Sequence, residues 1–205
     1  MNLEEWRLSF ISLGVVLALL ISAPVITEIF TPKYEPFIAM AVLGENNLAE
    51  GYYPNNDPNI PLKQLVGWSL YLYNHMGESQ YVVVKVKLLD ETTPPPDSAL
   101  VSPSPALTIY ELRLILRNNE TRITPFEWSV LEAKNTSDRL LISKMMVNGQ
   151  KIDLNTSVSN REKTRIVFEL WAYDYDLRSF RFDLDLNNER NCVWNQIWFM
   201  LKLTE

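Results

Sequence analysis

The chain of 205 residues holds one cysteine, Cys192, and one histidine, His75. A single cysteine permits no intrachain disulfide and no cysteine-built metal centre. A single histidine excludes a Ser-His-Asp triad or a multi-histidine metal site within one chain. Glycine is scarce, with six residues, and no phosphate loop, dinucleotide fingerprint or nucleophile elbow occurs. Positive charge is also in short supply: 19 Lys and Arg stand against 25 Asp and Glu, a formal net charge of −6. Nucleic-acid affinity draws on clustered Lys and Arg, and no basic stripe runs along the sequence. Neither a nucleic-acid partner nor a cofactor is expected, and no residue stands out as catalytic. Disulfides are common in secreted eukaryotic domains of this size, so their absence favours a bacterial or archaeal envelope.

What the sequence does have is one long uncharged run. Twenty residues from Leu8 to Thr27 carry no charge, enough for about 30 Å of helix, the thickness of a bilayer core. Arg7 and Glu28 bracket the run, and Trp6 and Phe30 fall where interfacial aromatic anchors belong. A cleaved signal peptide is the rival reading. Its apolar region would be shorter, and Pro24 directly after Ser22-Ala23 obstructs the one candidate cleavage site. The reading is therefore a cytoplasmic stub at 1–7, a transmembrane helix at 8–30 and an extracytoplasmic domain at 31–205. Pro24 kinks or ends the last turn of that helix.

Orientation from charge is balanced, Arg7 against Lys33. Three N-glycosylation acceptor patterns break the tie: Asn119-Glu120-Thr121, Asn135-Thr136-Ser137 and Asn155-Thr156-Ser157. Each sits in a polar stretch that reads as a turn. They place the domain outside and the N-terminus inside, in a cell membrane crossed once.

Beyond the stiff connector Thr31–Pro36, the sequence reads as strands. Phe37–Leu43 is the first, and Gly44–Pro61 a loop with successive turns. Gln64–His75 and Ser79–Asp90 read as a hairpin joined at Met76-Gly77-Glu78. Asn74, His75 and Gly77 take structural roles at its end, with Asn74 or His75 bonding the turn backbone. Val82, Val84, Val86 and Leu88 alternate with Lys85 and Lys87, the pattern of a half-buried strand. Thr92–Pro105, rich in proline and serine, reads as a surface excursion too polar to pack. Ile109–Arg117, Arg122–Leu131, Arg165–Tyr173, Ser179–Leu186 and Val193–Leu203 continue the series. Asn148-Gly149 marks a type I′ hairpin between 145–147 and 150–152. Eight or more strands without a soluble helix predict an all-β, antiparallel, immunoglobulin-like β-sandwich behind the N-terminal helix.

Chemistry is harder to find. Asp174 with Asp176, and Asp183 with Asp185, are spaced to share a face. They read as a solvated surface ahead of a calcium site, since no twelve-residue calcium loop is present, and ahead of a glycosidase pair. Tyr52, Tyr53, Trp68, Tyr71, Tyr73, Trp171, Tyr173, Trp194 and Trp198 are core candidates. Any that face outward suit a protein interface or a sugar-stacking platform.

Several of these segments together resemble a known family. They are the strand Phe37–Leu43, the Gly- and Asn-containing loop ending at Tyr53-Pro54, and Val66-Gly67 leading to Asn74-His75 and Gly77-Glu78. The C-terminal segments Arg165–Trp171 and Trp194–Trp198 agree. Most of residues 37–203 is similar to the exported domain of the archaeal family catalogued as domain of unknown function 1616. The resemblance implies a membrane-attached sandwich in the archaeal envelope, with no established activity and no catalytic residues to carry over. The stretch Thr92–Pro105 departs from it. The expected role is a non-enzymatic envelope subunit held in the lipid bilayer and binding other membrane or surface-layer proteins. An extracytoplasmic carbohydrate-binding module is the alternative, and an envelope glycoside hydrolase the third.

Overall fold

The structure, a computed structural model, describes residues 3–30, 35–136, 139–158, 163–186 and 189–203. It divides into two compact units, Met1–Glu35 and Pro36–Glu205. The first contains one helix, α1 (Leu3–Phe30); its side chains are described at Trp6, Arg7 and 9–22. Apolar residues surround this helix instead of gathering on one face. Among the described residues, no helix is long and apolar enough to cross a membrane.

The second unit is all-β, two sheets enclosing one core. Sheet one contains β1 (Phe37–Leu43), β3 (Val66–His75), β6 (Thr121–Asn135), β7 (Leu140–Val147) and β8 (Gln150–Val158), in the order β1-β3-β6-β7-β8. Sheet two contains β2 (Asn59–Pro61), β4 (Gln80–Leu89), β5 (Thr108–Leu116), β9 (Thr164–Asp174) and β13 (Val193–Lys202), in the order β2-β13-β9-β4-β5. There β10 (Ser179–Arg181) pairs with β9, while β11 (Leu184–Leu186) and β12 (Glu189–Asn191) form a separate small hairpin.

The core is built by period-2 alternation from both sides. Trp68, Leu70 and Leu72 of β3 and Phe126, Trp128 and Val130 of β6 meet Val82, Val84 and Val86 of β4 and Ile166, Phe168 and Leu170 of β9. Phe126 stands edge-on to Phe168 with centroids 5.0 Å apart, and Trp68 lies 5.2 Å from Trp128. Such tilted packing suits the ring quadrupoles.

Several expectations need correction. Strands 64–75 and 79–90 do not pair. β3 joins β1 and β6 in sheet one, and β4 joins β5 and β9 in sheet two. The short turn 76–79 is therefore a corner between sheets. A short glycine turn serves a hairpin or a corner equally, and both strands are apolar enough to find other neighbours. The sandwich is also not wholly antiparallel, since β2 runs parallel to β13 from Asn59↔Met200 to Pro61↔Lys202. β2 lies inside the span read as a loop, along with two 3₁₀ turns, Glu45–Asn47 and Pro54–Asn56. The strand expected over Ser179–Leu186 is interrupted at Phe182-Asp183, where Phe182 is buried against Trp171 at 5.6 Å. The Asn148-Gly149 hairpin forms as expected, with φ of 46° and 78°.

Candidate functional site

Asn74 is fully buried at the inter-sheet corner. Its Nδ2 donates to the carbonyls of Glu78 (2.8 Å), Leu116 (2.9 Å) and Arg117 (3.1 Å), and its Oδ1 accepts from the Met76 amide at 3.0 Å. One side chain thus ties the β3–β4 crossing to the β5–β6 crossing. Gly77, with φ of 83°, provides the left-handed turn, and its amide donates to Asn118 Oδ1 at 2.9 Å. His75 is half-buried, its ring 5.2 Å from Phe37 and stacked on Tyr73 at 6.0 Å, with Nδ1 2.7 Å from Asn119 Oδ1. The structure sets Asn74, His75 and Gly77 at a corner between the sheets, where the sequence suggested a hairpin end.

The acceptor asparagines fall in different settings. Asn119 is exposed in the corner turn with φ of 59°. Asn135 is exposed as the last residue of β6. Asn155 lies within β8, an edge strand, and not in a turn; Ser137, in the second pattern, lies outside the described residues.

The outer face of sheet two holds a group the sequence did not announce. Lys87 and Glu169, on adjacent strands, form a buried ion pair at 2.9 Å. Lys87 Nζ also donates to the Ser104 carbonyl at 2.6 Å. Glu169 accepts from the Ser104 amide at 2.8 Å and from Trp171 Nε1 at 3.1 Å. The stretch 92–105 is therefore not a loose excursion but a strap over this face. Pro96 and Ser104 are buried, Thr93 carbonyl accepts from Arg165 at 2.7 Å, and Ser98 accepts from Trp194 Nε1 at 3.0 Å. Asp90 folds the strap's start by accepting from Thr92 and Thr93. Burial beneath the strap also accounts for Lys87, read from alternation as solvent-facing. Desolvation raises the Cys192 thiol above its ordinary value, the direction of an unreactive cysteine. Glu169, with three donor groups shared over its two oxygens, is fully engaged, so the geometry is that of a structural clamp.

One member of each acidic pair, Asp174 and Asp183, is engaged, and the Asp185 side chain lies outside the described residues. Asp174 Oδ1 caps its turn by accepting from the amides of Asp176 and Leu177, both at 2.9 Å. Asp174 and Asp183 converge on Arg181, Asp174 at 3.1 Å and Asp183 through two donors. The Leu177 amide chiefly holds the Asp174 carboxyl below the ordinary aspartate value, and Arg181 does the same for Asp183. A depressed carboxyl lends stability that is complete above its unfolded value and drains as pH falls through the folded one. The melting temperature is therefore expected to fall on acidification below about pH 4. Arg181→Ala should flatten that fall, as measured by thermal melts across pH. An equally steep profile in the variant would refute this account. Among the described residues, no group of three or more His, Cys, Asp or Glu is placed to hold a metal ion.

Among the described aromatics of sheet two, one group is not coplanar. Tyr81, Tyr173 and Phe180 meet at interplanar angles of 46–71°. Trp171 carries Lys85 Nζ 3.5 Å over its ring. Trp198, 37% exposed, lines a cleft of about 570 Å³ with Tyr53, Pro58 and Met200, and the Lys163–Glu91 pair (2.7 Å) lines it too. The Tyr53 hydroxyl donates to the Trp198 carbonyl.

No family model matches the chain, and no curated protein matches it. Among solved structures it is similar to the CARDB domain of the PF1109 protein from Pyrococcus furiosus, crystallised in complex with di-metal ions. Identity is 11%, coverage 85% of this chain and 100% of that one, and the TM-score 0.39. So distant a likeness transfers nothing to individual residues.

Proposed function

We propose that the chain is a single-pass envelope protein, non-enzymatic, whose α1 lies in the membrane and whose sandwich binds other membrane or surface proteins outside the cytoplasm. The observation that carries this reading is the helix surface. Phe10 and Leu20 are 67% and 68% exposed, and the residues between them are exposed as well. A helix that is apolar all round and left uncovered in water is unstable, and a bilayer is the solvent that suits it. In the sequence the uncharged run Leu8–Thr27, twenty residues, corresponds to about 30 Å of helix, the thickness of a bilayer core. Exposed Asn119 and Asn135 suit glycan attachment outside.

An immunoglobulin-like sandwich is part of the proposal. β1-β3-β6 facing β13-β9-β4-β5, with the chain passing between sheets at both corners, matches the Greek-key connectivity of that class. The β7–β8 hairpin extends it on one edge.

Alkaline carbonate extraction of membranes, followed by proteolysis of intact cells, tests the placement. The protein is expected to stay in the pellet and to lose its C-terminal unit to external protease. Release into the supernatant, a mature chain beginning past Ala23, or protection of that unit overturns it. A second reading, a carbohydrate-binding module, has the Tyr53–Trp198 cleft in its favour. It predicts glycan-array signals lost on Trp198→Ala.

A further inference from the structure

The acidic chain gathers lysines at one place. A cleft of about 580 Å³ on sheet one is lined by Lys63, Lys134, Lys144 and Lys151, drawn from four separate segments. Lys144 is held by Glu132 at 3.2 Å and Asp153 at 3.7 Å. Lys63, Lys134 and Lys151 are exposed and make no ion pair among the described residues. Leu62, Leu131 and Ala133, all half-buried, give the cleft an apolar side.

The backbone at this place is irregular in three ways. The β6–β7 register slips between Val130 and Ala133, and the β7–β8 register slips between Ile142 and Lys144. Bulges of this kind re-aim side chains, and they concentrate near sites. Lys63 adopts a left-handed φ of 64°, costly for a residue with a Cβ, while its amide donates to the Val130 carbonyl at 2.8 Å beside the slip.

We propose that this cleft is the docking site for an acidic, aliphatic polypeptide segment of a partner protein. The lysines complement carboxylates, and the aliphatic side fits alternate apolar residues of an extended segment. Sugar and nucleic-acid platforms use aromatic rings for stacking, and no aromatic residue lines the cleft.

This assignment rests on the reading of the sandwich as a protein-binding domain, and its test is independent of carbonate extraction. Full-length protein in zwitterionic micelles is titrated against a fluorescein-labelled peptide of about ten residues alternating glutamate and leucine, followed by anisotropy. Saturable binding is expected, weakened about tenfold or more when Lys63→Glu, Lys134→Glu and Lys151→Glu are combined, and weakened when salt rises from about 0.1 to about 0.5 M. Thermal melting checks the fold of that variant. Lys63→Gln, Lys134→Gln and Lys151→Gln together replace it if the reversed charges unfold the domain. A lysine-leucine peptide should not bind. Failure to bind the acidic peptide, unchanged binding by the folded variant, or tighter binding of polygalacturonate or single-stranded DNA overturns the proposal.

Discussion

Lys87→Met is expected to lower the stability of the sandwich by about 3–5 kcal/mol, because it strips a buried carboxylate of its counter-charge. Glu169 is fully buried, and Lys87 is the cation that pairs with it directly, at 2.9 Å; Lys85, opposite it in the β4–β9 register, turns its ammonium over the Trp171 ring instead. The two remaining donors, the Ser104 amide and Trp171 Nε1, hydrogen-bond to the charge without neutralising it. For a domain of this size the loss corresponds to a melting temperature lower by roughly 10–15 °C. Adding Glu169→Gln should restore most of it, since a neutral amide keeps an acceptor for Ser104 and leaves no charge in the interior. The strap supplies a second readout. Lys87 holds the Ser104 carbonyl at 2.6 Å, so in the single variant chymotrypsin should cut faster at exposed Leu100 and Leu107. A variant that melts with the wild type, or a double variant no better than the single, would show that the pair contributes little.

Much of the fold was legible because a strand advertises itself through alternation. Phe37–Leu43 and the Asn148-Gly149 hairpin stand where their patterns put them, and the inward residues of β4 and β9 are those the alternation chose. Pairing was not legible. Gln64–His75 and Ser79–Asp90 look alike as a hairpin or as a corner, because a two-fold repeat records which face is apolar but not which neighbour covers it. The strap escaped for a related reason. Proline and serine describe a segment that makes little secondary structure, yet Ser104 packs through its backbone amide and carbonyl, which no composition reveals. Lys87 was assigned to solvent since nothing local signals Glu169, 82 residues further on. The lysine cleft is invisible in the same way: Lys63, Lys134, Lys144 and Lys151 are scattered along the chain, and only the folded register collects them. Asn74 was the exception, a polar residue at the end of an apolar strand beside a glycine turn, and its structural role was readable before its partners were.

Those partners set the size of the second large effect. Asn74→Ala removes the side-chain contacts to the carbonyls of Glu78, Leu116 and Arg117 and to the amide of Met76 at once, although the Arg117 carbonyl keeps the Glu120 amide at 3.0 Å. Buried polar groups left unmet cost about 1–3 kcal/mol each. Water can reach part of the turn, where Gly77, Glu78 and Arg117 are exposed, so the expected total is about 3–4 kcal/mol rather than the full sum. Asn74→Asp is the sharper comparison. A carboxylate keeps the bond from Met76 but confronts three carbonyl oxygens with a buried negative charge, so it should be at least as damaging as alanine at neutral pH. It should recover on acidification, since protonation gives the side chain one donor. His75→Ala, by contrast, deletes a half-buried ring whose main partners are Phe37, Tyr73 and Asn119, and should cost no more than about 1 kcal/mol. Urea melts of the three variants at two pH values separate these cases. If alanine at 74 proves as mild as alanine at 75, the two sheets are joined by their core alone, and the corner only follows where the core leads.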